Sequence, residues 1–172
     1  MDDQHKSASV GVGATPRRST SSLDAKPVST VSFGGERYER LAIDVSGYAY
    51  PERTGEYHDD NWLRVQVSVA AGSFRVSYDA MFQVAELQKF ESQLSSLYKS
   101  PEQTAHFETL EGQLSLELTG NIRGAVTLRG VAEDQPGIGN RLRFSLALDQ
   151  TQVASALQQL RDILILYPAR SV

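Results

Sequence analysis

Leu63-Arg64-Val65-Gln66-Val67-Ser68-Val69-Ala70-Ala71-Gly72-Ser73-Phe74-Arg75-Val76-Ser77-Tyr78-Asp79-Ala80-Met81-Phe82 is the stretch that decides the fold. Leu63, Val65, Val67 and Val69 alternate with Arg64, Gln66 and Ser68, the period of two that a half-buried strand shows. Ala71-Gly72-Ser73 supplies a turn. Phe74, Val76, Tyr78, Ala80 and Phe82 then alternate with Arg75, Ser77, Asp79 and Met81. Two alternating runs around a short glycine-containing loop predict a β-hairpin. Upstream, Leu41, Ile43 and Val45 alternate with Ala42, Asp44 and Ser46, which predicts a further strand.

Downstream of the hairpin the period changes. Leu87, Phe90, Leu94 and Leu97 recur at steps of three and four, with Glu86, Lys89, Glu91 and Gln93 on the other side. This spacing predicts an amphipathic helix, which Pro101 stops by residue 99. Strands resume over 105–110 and at Leu114, Leu116 and Leu118. Gly120-Asn121 is a turn, Val126 and Leu128 continue the alternation, and 134–140 is a Pro/Gly-rich loop. Leu142, Phe144, Leu146 and Leu148 make the last strand. Asp149 then reads as a helix N-cap, with Gln152 at the capping-box position. Val153, Leu157, Leu160 and Leu164 follow at helical spacing. Ile163, Ile165 and Leu166 make the last turn apolar nearly all round, which predicts burial, and Pro168 ends the helix. The expected fold is α+β: a twisted antiparallel β-sheet with two amphipathic helices packed on its apolar face, in the order strands-helix-strands-helix.

Residues 1–30 differ from this body. They contain nine Ser or Thr, two Gly and two Pro, and Val10, Val12, Leu23 and Val28 share no period. Too little apolar area is available to offset an ordering cost of roughly 1–2 kcal/mol per residue, so 1–30 reads as a disordered tail and 31–172 as one α+β domain. The tail holds Lys6, Arg17, Arg18 and Lys26 against Asp2, Asp3 and Asp24. Thirteen of the 17 basic and eighteen of the 21 acidic groups therefore lie in the remaining body, a net charge of −5. An acidic body is a poor partner for phosphate backbones, which argues against nucleic acid and for a basic protein partner. No apolar run reaches the length of a membrane-spanning helix, and no secretion signal is visible, so a cytoplasmic protein without membrane contact is expected. Cysteine is absent, which excludes disulfides, thiolate metal sites and cysteine nucleophiles.

Chemistry-bearing motifs are few. No Gly-x-Ser-x-Gly elbow, His-Glu-x-x-His or Walker motif is present, so no enzyme and no cofactor are expected. His58, Asp59 and Asp60, with His106 and Glu108, match no strong metal template, and no metal is expected. The most unusual segment is 51–61, where Glu52, Glu56, Asp59 and Asp60 accompany Tyr57 and His58, directly before the only tryptophan, Trp62. An acidic loop beside an aromatic is the composition of a recognition edge for a basic protein. The partner-binding candidates are thus Glu52, Glu56, Tyr57, Asp59, Asp60 and Trp62. Trp62 has a second reading as a core residue, although its phase is opposite to that of Leu63 and Val65. Arg64, Arg75, Arg123, Arg129, Arg141 and Arg143 fall on the polar phase of their strands, as a solvated face or a second binding surface would require.

Asp59-Asp60-Asn61-Trp62-Leu63, followed by alternating valines and the Gly72-Ser73-Phe74 hairpin, resembles the start of WapI-type bacterial immunity proteins. Glu111-Gly112-Gln113-Leu114-Ser115-Leu116-Glu117-Leu118, Gly124, Asp134-Gln135-Pro136-Gly137-Ile138-Gly139-Asn140 and Leu142-x-Phe144 continue the likeness. Asp149-Gln150-Thr151, leading into a helix that ends at Tyr167-Pro168, completes it over about residues 36–168. The resemblance implies a cytoplasmic, non-catalytic protein that binds and neutralises a polymorphic or contact-delivered toxin domain, one with a basic surface if the acidic loop binds it. A structural or small-ligand-binding accessory domain with a different protein partner is the alternative. A metal-dependent hydrolase built on His58, Asp59 and Asp60 is a third reading.

Overall fold

The computed structural model describes residues 29–35 and 39–171. The expected tail therefore lies outside the described residues, apart from Ser29 and Thr30, which open the first strand. Among the described residues, eight strands run β1 (Ser29–Gly34), β2 (Glu39–Tyr48), β3 (Trp62–Ala71), β4 (Phe74–Gln83), β5 (Thr104–Glu108), β6 (Leu114–Gly120), β7 (Ala125–Glu133) and β8 (Arg141–Asp149). A single helical turn, α1 (Tyr57–Asp60), precedes β3. The long helices α2 (Val84–Lys99) and α3 (Gln150–Leu166) follow β4 and β8. The α+β class, the antiparallel pairing and the alternation of strand and helix blocks are as the sequence predicts.

The strands divide into two four-stranded antiparallel sheets, β1-β2-β3-β4 and β5-β6-β7-β8, with α2 leading from one to the other. The decisive hairpin forms as read. Leu63 lies opposite Phe82 and Val69 opposite Val76. Gly72 turns the chain at φ +60°, a conformation that disfavours a side chain. In β2 a bulge between Val45 and Gly47 resets the register, so that Tyr48 faces Leu63.

One continuous core draws on both sheets and both long helices. Leu87, Phe90, Leu94 and Leu97 of α2 are buried, as their spacing predicts. Four aromatic rings connect the two sheets through this helix. Phe33 of β1 lies 6.1 Å from Phe90, Phe90 lies 5.0 Å from Phe107 of β5, and Phe107 lies 5.4 Å from Phe82 of β4. Within the second sheet, the Phe144 ring occupies the space above Gly130 where a β-carbon would stand.

At the start of α3 the Asp149 carboxylate accepts from the Thr151 and Gln152 N–H groups, and Gln152 bonds back to the Asp149 N–H, completing the predicted capping box. Its last turn corrects an expectation. Ile163 is buried, but Ile165 is 78% exposed and Leu166 44%. Successive helical residues are about 100° apart, so Ile165 points away from the side on which Ile163 packs. The arginines predicted on polar phases are exposed, but on separate surfaces. Arg64 and Arg75 lie on the first sheet, Arg129, Arg141 and Arg143 on the second, and Arg123 in the turn before β7.

Sheet edges expose unpaired N–H groups, and among the described residues three of the four edge strands carry the same remedy. Ser32 N–H of β1 donates to the Gln159 side chain of α3 (2.9 Å), and His106 N–H of β5 to Gln93 of α2 (2.8 Å). Met81 N–H of β4 donates to Gln113 (3.2 Å).

Candidate partner-binding loop

The segment between β2 and β3 contains every partner-binding candidate except Trp62, which opens β3. It is held at its base, where Ala49 N–H donates to the Trp62 carbonyl (2.7 Å). Asp60 closes α1 and turns inward. It is only 2% exposed, and its carboxylate accepts from the Thr54 N–H (2.5 Å) and the Gly55 N–H (3.2 Å). The Thr54 bond is the main reason its carboxyl titrates below the usual carboxylate range; Gly55 and the charge of Arg170 act in the same direction.

The next residue fastens the loop to the segment that follows α3. Asn61 is buried, and its amide donates to the Tyr57 carbonyl (2.7 Å) and the Arg170 carbonyl (2.9 Å) while accepting from the Arg170 N–H (2.7 Å). All of its side-chain polar groups are thereby engaged. The Arg170 guanidinium lies 3.5 Å from the centre of the Tyr48 ring, a cation–π geometry, and donates to the carbonyls of Tyr50 (2.9 Å) and Pro51 (3.3 Å). Arg53 returns a bond to the Ser171 carbonyl, and Tyr48 donates to the Pro168 carbonyl while stacking edge-on with Tyr167. From the hairpin side, Gln83 donates to the His58 carbonyl and Val84 N–H to the Asn61 carbonyl.

These bonds leave one surface outward. Glu52, Glu56, Tyr57, His58 and Asp59 are exposed, with the Tyr57 and His58 rings in edge contact at 5.6 Å. The structure thus brings Glu52, Glu56, Tyr57 and Asp59 onto one exposed loop, buries Asp60 beneath them, and leaves Trp62 half-buried at the foot. Sequence reading missed Arg170 and Tyr48. Asn61 was legible only as a turn residue, and nothing local pairs it with a residue 109 positions later. Among the described residues, no three His, Cys, Asp or Glu side chains converge as metal ligands.

Asp60 yields a prediction with a definite sign. Its folded pKa is depressed, so its contribution to stability is present above the unfolded value near 3.9 and fades as pH falls through the folded value. Asp60→Asn removes that contribution at every pH. The melting temperature of wild type should exceed that of the variant at pH 7, and the gap should close progressively below about pH 4. A gap that stays constant down to pH 2.5 would show that the carboxylate charge is irrelevant.

Over residues 32–168 the sequence matches the model of the immunity protein WapI-like family. The chain belongs to that family. The match takes in β1 from Ser32 onward, strands β2 to β8, both long helices and the whole loop of this WapI-like protein, and stops at Pro168, two residues before Arg170. No protein of curated function matches the chain. Among solved structures, that of the plant transcriptional regulator PBF-2 is similar at 12% identity, covering 83% of this chain and 82% of that one with a TM-score of 0.49. No described helix of the WapI-like chain is long and apolar enough to cross a membrane.

Proposed function

We propose that the protein is a cytoplasmic, non-catalytic immunity protein that binds and neutralises a toxin domain, and that Glu52, Glu56, Tyr57 and Asp59 contact that toxin. The observation that carries this reading is family membership across residues 32–168. The fastened loop supports it, because a preorganised surface loses less freedom on binding than a mobile one. Asp60 and Trp62 serve the site from beneath, the first by shaping the loop and the second by supporting its foot. Three outward acids fit a partner with a basic surface, and the acidic balance of the body adds long-range attraction.

A polymorphic toxin encoded beside this gene would supply the test. Co-expression of the folded protein should rescue cells that make the toxin, and failure to rescue them counts against the immunity reading itself. Changing Glu52, Glu56 and Asp59 together to Ala should slow association roughly tenfold or more at low salt, with the difference shrinking as salt rises, while the melting temperature stays within about 2 °C. Equal binding across all salt concentrations would remove the loop from the interface.

One observation favours the alternative, a small-ligand-binding accessory domain. The outer face of the first sheet forms a trough of about 780 Å³ lined by Asp44, Arg64, Gln66, Asp79, Met81 and Gln113, a size in the range of ligand sites. A pull-down that recovers a stable non-toxin partner, together with failed rescue, would favour that reading.

A further inference from the structure

Three edge strands have an outward N–H bonded by a glutamine, and the fourth, β8, has none along Arg141–Ala147 among the described residues. The direction of its backbone follows from the ladder, because the hydrogen-bonding side alternates along each antiparallel strand. His106 faces outward to Gln93, so its pair with Glu117 carries no ladder bonds and Glu117 bonds to Arg129 instead. Arg129 therefore turns away from Ser145, its neighbour on β8. Two further bonds agree with this phase: Glu133 N–H, on the same side of β7 as Arg129, reaches the Gln113 carbonyl, and Asp149 N–H reaches Gln152. Arg141, Arg143, Ser145 and Ala147 thus present their N–H and C=O groups outward, and all four residues are exposed.

We propose that this edge joins two copies of the chain, β8 to β8 and antiparallel, about a twofold axis through Ser145. The register decides in favour of a second copy. Centring on Ser145 sets Ser145 opposite Ser145, Arg143 opposite Ala147 and Arg141 opposite Asp149. No like charges meet, and a basic residue faces an acidic one at each end. The Asp149 carboxylate makes its local bonds through Oδ1, and Arg141 already holds Glu133 at 2.9 Å. The partner's Asp149 would therefore extend an existing ion pair. The pairing forms about six backbone hydrogen bonds, two for each bonded pair, and extends each four-stranded sheet into a continuous one across the axis. This surface is separate from the acidic loop, and the inference does not depend on toxin binding.

Sedimentation equilibrium of the full chain tests it. Wild type should show a concentration-dependent monomer–dimer equilibrium. Ser145→Pro removes an outward N–H without breaking the intramolecular ladder, and should give a monomer with a cooperative melt. Ala147→Glu faces the partner's Arg143 twice and should tighten the dimer roughly fivefold, whereas Ala147→Lys should loosen it by a similar factor. A wild type that remains monomeric up to roughly 1 mM overturns the proposal. So does a dimer in which Ala147→Glu and Ala147→Lys behave alike, a comparison that holds even if Ser145→Pro fails to fold. A monomer whose β8 variants lose binding to another protein assigns the edge to a foreign strand, and equally overturns self-pairing.

Discussion

Replacing Phe90 by Ala should destabilise the protein by about 3–5 kcal/mol, the largest loss expected from any single truncation. Phe90 is 1% exposed and touches Phe33 on one side and Phe107 on the other, so its ring is the middle link between the two sheets. Removing it leaves a void bounded by elements of both sheets, which cannot all close on it because each is held by its own ladder. Chemical denaturation should report the loss as a lower midpoint, with the melting temperature down by on the order of 10 °C. A loss under about 1 kcal/mol would mean that the sheets are joined chiefly elsewhere.

Asn61→Ala should have the second largest effect, about 3 kcal/mol, for a different reason. The substitution opens little volume, but it strands the Arg170 N–H, together with the Tyr57 and Arg170 carbonyls that the amide satisfies. Buried polar groups without partners carry their full desolvation cost. Asn61→Asp should be nearly as harmful, because a carboxylate still accepts from Arg170 N–H but faces two carbonyls it cannot donate to. Thermal melts check the stability, and limited proteolysis should show earlier cleavage within 51–60 in both variants. A variant that melts like wild type and resists proteolysis would show that the C-terminal segment holds without Asn61.

The fold was legible wherever burial follows a local period. Leu63 to Phe82 and Leu87 to Leu97 declare strand and helix because each residue's environment depends on its neighbours two to four places away. The division into two sheets has no such local signal, since β4 and β5 alternate alike whether or not they share a ladder. Ile165 and Leu166 misled because composition was read where angle decides. For the candidate site, the acids and Tyr57 were visible as a composition shift. Their separation into outward Glu52, Glu56 and Asp59 and inward Asp60 depends on the Thr54 and Gly55 N–H groups, which no side-chain pattern encodes. The edge caps were hidden for a similar reason: Gln93, Gln113 and Gln159 look like ordinary surface residues until the strands they cap are placed.

The bond between Asn61 and Arg170 also sets a schedule. Synthesis runs from the N-terminus, so residues 51–61 leave the ribosome well before Arg170 is polymerised, 109 positions after Asn61. During that interval the hairpin and α2 can form, while the acidic loop lacks its fastening. The loop reaches its final shape only when Arg170 emerges. A partner that selects that shape therefore binds chains grown past Arg170 and passes over shorter nascent ones.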